Sequence, residues 1–242
     1  MKIGVFDSGA GGQAVAERLR QLLPQATVIT ADDPNHVPYG SRSAAEVHRL
    51  TDAAIQPLLR ENCDVIVLAC NTATAAAIDK LRADYPHVPF VGLEPMVKPA
   101  CSSSATGAVA VCATPATLGS RRYQRLKETW AEGVTVVEPD CSAWAEMIQH
   151  GRAESVPLTE LQDLVQRHRV DVVVLACTHY HWLKPRIEAA LGPGVPVLEP
   201  SDAIASQIRR VTSAAAQSPA RVGAAQPPAA AAALSPAQTA HP

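Results

Sequence analysis

The chain has 242 residues, 47% hydrophobic but only 4% aromatic, and its 21 basic and 23 acidic side chains leave a formal charge of -2. That size fits one or two globular domains, and the charge balance gives no basic footprint for a nucleic-acid partner; the densest basic run, Arg121-Arg122 with Arg125 and Lys127, reads as a solvated helix face. No uncharged apolar stretch approaches the ~18 residues of a membrane helix, and Met1-Lys2-Ile3 leads into a strand pattern with no signal peptide, so the expectation is a cytoplasmic protein with no membrane partner.

In chain order, short runs rich in Val and Ile alternate with stretches of helical period. Strand candidates at 3–6, 27–30, 65–69 and 90–93 are interleaved with helix candidates at 14–23, 43–60 and 73–83. A second set of strand candidates follows at 109–112, 134–137, 172–176 and 195–198, with helices expected at 118–130, 159–168 and 183–191. These strands rarely alternate with polar residues. Strands of that kind are buried on both faces, so the fold class is α/β, with mainly parallel sheets flanked by helices. Residues 213–242 are rich in Ala, with five prolines and Arg221 as the only charged side chain, a composition expected to form a disordered tail.

The chain also resembles itself. Residues 64–74, DVIVLACNTAT, match 171–181, DVVVLACTHYH, at an offset of 107 that also takes Asp33 to Asp140 and Asp7 to Thr114; GLEP ending at Pro95 matches VLEP ending at Pro200 at an offset of 105. Two copies of one α/β unit follow, expected as similar domains related by a pseudo-twofold axis: 1–96 plus about 199–212, and 97–198.

The repeat points to where chemistry sits. Ligands of open parallel sheets bind beyond the carboxyl ends of the strands, and Cys70 and Cys177 each end a strand and precede a helix. The helix dipole and free N–H groups there are expected to lower a thiol pKa from ~8.5 toward neutrality. Facing domains would put one thiol on each side of a ligand in the interdomain cleft. Two groups of matched pKa on opposite faces suit inversion of a stereocentre with an acidic C–H, one removing a proton while the other returns one. The six cysteines show neither a CxxC pair nor zinc-type spacing, and none of the five lysines sits in a context suggesting a pyridoxal Schiff base, so no cofactor or metal is expected. The residues alone leave alternatives open elsewhere. Asp7 reads as a proton acceptor, an ammonium ligand or a helix cap; His179 as a thiol partner or a cap; Gly9 to Gly12 as a carboxylate-approaching loop or a tight turn; Tyr39-Gly40 as a Pro-led turn.

The motifs VFDSGAGG at 5–12, PYG at 38–40, ACNTAT at 69–74, the spaced Thr114, Thr117 and Ser120, and ACTHY at 176–180 together resemble the glutamate racemase branch of the aspartate/glutamate racemase superfamily, over roughly residues 3–208. The resemblance implies a cofactor-independent, two-domain enzyme that interconverts L- and D-glutamate with two bases and supplies D-glutamate for peptidoglycan. It makes Cys70 and Cys177 the proton donor and acceptor, assisted by Asp7 and His179. It makes Asp7-Ser8, Tyr39-Gly40, Asn71-Thr72 and Thr178-His179 the pairs that hold substrate, and it leaves a homodimer open. The chain departs from the family pattern in four places. Gln149 stands where a glutamate is usual, with Glu146 one turn away as a substitute; His181 replaces a proline; the loop DDPNHVPYG lacks a usual Thr-x-Arg; and the family's last segment has no visible counterpart. A racemase of another amino acid such as aspartate, or a catalytically weak amino-acid-binding or regulatory relative, stays open as an alternative.

Overall fold

The computed structural model describes residues 1–217. Its first half runs β1 (Lys2–Asp7), α1 (Gly12–Leu22), β2 (Thr27–Asp32), α2 (Ala44–Arg60), β3 (Val65–Leu68), α3 (Asn71–Asp84) and β4 (Phe90–Gly92). The second runs α4 (Val97–Ser103), β5 (Ala108–Cys112), α5 (Pro115–Leu118), α6 (Arg121–Trp130), β6 (Thr135–Val137), α7 (Trp144–Gln149), α8 (Thr159–His168), β7 (Val172–Leu175), α9 (Lys184–Leu191), β8 (Val197–Leu198) and α10 (Ser201–Gln217). The strands form two four-stranded sheets in the orders β2-β1-β3-β4 and β6-β5-β7-β8, every pairing parallel. All eight expected strands are present within a few residues of their expected ends.

Apolar faces on both sides of each sheet explain why the strands lack polar alternation. On one face of the first sheet, Phe6, Ile66 and Leu68 pack with Leu50, Ile55 and Leu58 of α2 and Ile78 and Leu81 of α3. On the other, Ile3, Val5, Val65 and Val67 pack with Val15 and Leu19 of α1 and Ile204 and Ile208 of α10. In the second sheet, Ala110, Cys112, Val173 and Leu175 meet Leu161 and Ile187, while Val109, Val111, Val172 and Val174 meet Val97 of α4 and Tyr123 of α6. The connections leaving β1 and β3 thus cover opposite faces, as do those leaving β5 and β7. Each sheet has a crevice at the carboxyl ends of its two central strands, where a doubly wound sheet binds ligands.

Four expectations need adjusting. The helix expected over 118–130 is two helices: Gly119 ends α5, and Ser120 accepts from the Tyr123 N–H to start α6. The short helices α4 and α7 fill stretches with no clear helical period. The helix α10 runs to Gln217, past Ser213 where the tail was expected to begin, and the rest of that expected tail, 218–242, lies outside the described residues. The repeat keeps its topology but not one constant offset. Gly4 pairs with Ile66 and Ala110 with Val173, so β1 matches β5 at 106, and Asp7 falls opposite Ala113 rather than Thr114. Val67 pairs with Val91 and Val174 with Leu198, so β4 matches β8 at 107, and the GLEP and VLEP motifs are two residues out of structural register.

Ile208 is fully buried between α10 and the first sheet. Ile208→Ala should cost about 2–4 kcal/mol in denaturant unfolding, the range for a large apolar core truncation. A loss below about 0.5 kcal/mol, as for a surface substitution, would mean that α10 is not docked there.

Candidate active site

Asp7 is the last residue of β1 and is 1% exposed. Its Oδ2 accepts from the Gly12 N–H at 3.0 Å and the Gly9 N–H at 3.3 Å, and the Thr178 hydroxyl donates to Oδ1 at 3.2 Å across from the other half of the molecule. Burial pushes its carboxyl up to about 6, against the downward pull of these donors. Glycine is required in this loop for steric reasons: a Cβ at Gly11 would lie 2.5 Å from Thr178 Oγ1 and 3.0 Å from the His179 backbone nitrogen, and one at Gly12 2.5 Å from Asp7 Cβ. The loop that closes over Asp7 is therefore the surface on which the Cys177 side docks.

Cys70 caps α3, its Sγ accepting from the Ala73 N–H at 3.4 Å and from the Ser8 hydroxyl at 3.3 Å. These bonds favour a thiolate, as the sequence led one to expect, yet the thiol is pushed up to about 11. Burial is the larger cause and the Asp7 carboxylate the next. The expected lowering is thus overturned: in a site this dry, desolvation outweighs a helix N-terminus. Cys177 follows β7 and opens a 3-10 helix, Thr178–Leu183. Its thiol is also raised, first by burial and then by the charge a Cys70 thiolate would carry, and the backbone N–H groups of His179 and Tyr180 offset only part of this. Two thiolates in this site would oppose each other.

His179 completes the second side. Its Nδ1 is 4.0 Å from Cys177 Sγ, and its Nε2 is 2.8 Å from Gln149 Oε1 on α7. Because a carbonyl oxygen only accepts, this contact assigns the proton to Nε2 and leaves the Nδ1 lone pair toward the thiol. Burial lowers the imidazole to about 4, so it is neutral at pH 7. Gln149, rather than the exposed Glu146, is the residue that α7 turns toward His179. His181 points elsewhere, with Nε2 3.8 Å from Glu199 Oε2.

Between the halves, Thr72 Oγ1 is 3.2 Å from Thr114 Oγ1, which is 3.1 Å from Thr117 Oγ1. Asn71, beside Cys70, is 5% exposed, and its side-chain Oδ1 and Nδ2 both lack a hydrogen-bond partner. A buried amide left so is costly unless a polar ligand supplies its partners. Tyr39 is buried with its hydroxyl donating to Asp33 Oδ2 at 2.8 Å; burial first and this bond next raise its phenol beyond the ordinary range, and its hydroxyl is engaged within its own half. Gly40 lies against Thr114, where a Cβ would be 3.6 Å from Thr114 Cβ. Sequence reasoning missed the steric part of Gly11 and the amide hold of Gln149 on His179, since neither a van der Waals clash nor a side-chain direction leaves a pattern in one sequence. Among the described residues no group of three or more His, Cys, Asp or Glu could hold a metal ion.

The Asp7 shift has a sign that can be measured. Its folded pKa of about 6 exceeds the ordinary 3.8, so between these values the native state binds more protons than the unfolded one, and stability falls as pH rises through that window. Asp7→Asn removes this dependence. The stability of the natural protein minus that of Asp7→Asn should drop by up to about 3 kcal/mol between pH 4 and 7. A difference independent of pH would contradict the buried, raised carboxyl.

Residues 10–208 match the family model described as Asp/Glu/Hydantoin racemase. The glutamate racemase of Herpetosiphon aurantiacus is 40% identical over 220 residues, covering 88% of this chain and 85% of that one. The glutamate racemase of Ectopseudomonas mendocina is 38% identical over 213 residues, covering 86% and 81%. Among solved structures, Escherichia coli glutamate racemase in complex with L-glutamate and the activator UDP-MurNAc-Ala superposes with a TM-score of 0.76 at 30% identity, covering 88% of this chain and 82% of that one. Glutamate racemase from Aquifex pyrophilus gives a TM-score of 0.68 at 32% identity, covering 87% and 84%. With two repeated parallel sheets, a cysteine at an equivalent strand end of each and a match over most of its length, the chain belongs to the Asp/Glu/Hydantoin racemase family.

Proposed function

We propose that this protein is a cofactor-independent glutamate racemase that interconverts L- and D-glutamate by a two-thiol mechanism in the cytoplasm and supplies D-glutamate for peptidoglycan. The observation that carries this furthest is the pair of cysteines at equivalent strand ends of two facing α/β units, each with a titratable side chain close by. The units are taken as domains of residues 1–96 plus about 199–212, and 97–198. The packing of α10 against α1 and of α4 against the second sheet supports this division. No helix among the described residues is long and apolar enough to cross a membrane.

In this mechanism one cysteine enters as thiolate and removes the α-proton. The electron pair left on Cα then takes a proton from the thiol on the opposite face, so one thiol and one thiolate exchange roles in each turnover. The mutual opposition of the two thiolates favours such a singly charged pair. His179 Nδ1 is the acceptor that receives the Cys177 proton when that side must be the base. Asp7 is the group through which Cys70 is tuned. The unpaired amide of Asn71, with the hydroxyls of Ser8, Thr72 and Thr178 and the Tyr39-Gly40 backbone, gives donors and acceptors for the substrate's carboxylates and ammonium.

Cys70→Ser and Cys177→Ser should each lower racemisation of glutamate more than about a thousandfold, since a hydroxyl is far too weak an acid to replace a thiol at neutral pH. Chiral chromatography of the reaction checks this. Full racemisation by either variant would contradict the two-thiol assignment, and racemisation of aspartate with none of glutamate would change the substrate.

A further inference from the structure

We propose, on the racemase reading above, that Trp182 is a positioning residue that holds the His179 imidazole with Nδ1 toward the Cys177 thiol. The two side chains belong to one 3-10 helix, Thr178–Leu183, and are three residues apart. With three residues per turn, positions i and i+3 of such a helix lie directly over one another. Their rings meet edge to face, with centroids 5.9 Å apart and planes at 76°. Trp182 keeps 43% of its surface exposed, whereas His179 is 5% exposed, so the indole forms the outer wall of the imidazole's site.

The other contacts leave a role for this wall. Gln149 Oε1 fixes the ring at Nε2, and the backbone at Gly9 closes on Cε1, where a Cβ would come within 3.3 Å. One hydrogen bond to a flexible amide does not stop the ring from tilting about it; the edge-to-face contact with the indole does. The wall also matters once His179 carries a proton. Its side-chain hydrogen-bond partner is then a neutral amide, and the Asp7 carboxylate is engaged by Gly9, Gly12 and Thr178. With its ring centroid 5.9 Å away, the indole is the aromatic neighbour of that protonated ring. Nothing in the chemistry of proton transfer requires the indole to touch the substrate.

The test uses Trp182→Leu and Trp182→Phe in the full chain, with two readouts. Without substrate, the NMR signal of the His179 Cε1 proton, identified by its disappearance in His179→Gln, is shifted by the indole ring current; it should move in Trp182→Leu and move less in Trp182→Phe. With glutamate, kcat for Trp182→Leu should fall roughly three- to tenfold in both directions with KM within about twofold, and Trp182→Phe should recover most of the loss. An unmoved His179 signal in Trp182→Leu overturns the assignment. So does an unchanged kcat, or a rise in KM alone, which would make Trp182 a substrate contact instead. If the natural protein does not racemise glutamate, the racemase reading fails, while the NMR arm still decides whether Trp182 sets the imidazole.

Discussion

The carboxylate of Asp7 is shut off from water, and three donors converge on it: the backbone N–H groups of Gly9 and Gly12, and the hydroxyl of Thr178 from the opposite half. That convergence sets both the geometry and the electrostatics of the cleft. The loop from Ser8 to Gly12 can fold over the carboxylate only because Gly12 has no Cβ to strike Asp7, and the Cys177 side can press against it only because Gly11 has none to strike Thr178. The same carboxylate opposes ionisation of Cys70 and of Cys177. A single buried carboxylate thus links the two halves through Thr178 and adds to the burial that keeps both thiols protonated.

Two effects compete at Cys70, and their sizes decide the resting state. The start of α3 and the Ser8 hydroxyl favour the thiolate, and burial beside Asp7 disfavours it; the outcome, a thiol at about 11, means that ionising it at pH 7 costs about 5 kcal/mol. A substrate ammonium about 4 Å away, at the effective dielectric of a partly buried site, returns about 4 kcal/mol. On the racemase reading the thiol rests protonated, and a cation brought beside it lowers the cost of ionising it. His179, lowered to about 4 by burial, is a neutral imidazole beside the second thiol.

Much of the fold was legible because its signal is local. Runs such as Val65–Leu68 and Val172–Leu175 are short, rich in β-branched residues and buried on both faces, as a covered parallel strand requires. The helices α4 and α7 were not legible: VKPACSS and WAEMIQ are short and held mainly by tertiary contacts rather than by periodicity. The repeat was legible at β3 and β7, where sequence and register agree. It misled at β1 and β5, where a one-residue shift leaves Asp7 with Ala113, not Thr114, as its counterpart. The cleft is asymmetric, with a carboxylate beside one thiol and an imidazole beside the other. The positions of the cysteines at strand ends could be read from sequence because a strand followed by a helix is a local pattern. The sign of their pKa shifts could not, because burial is a property of the assembled halves.

The central claim is that protons leave and arrive on opposite faces, through two different thiols. Its most direct measurement is the initial turnover of unlabelled L-glutamate in D2O, with the α-position of both enantiomers read by mass spectrometry or NMR. The account predicts that D-glutamate carries α-deuterium from the first turnovers while the remaining L-glutamate keeps its α-proton. Early D-glutamate that retains the substrate's α-proton would show one group returning the proton it removed, and would contradict the account.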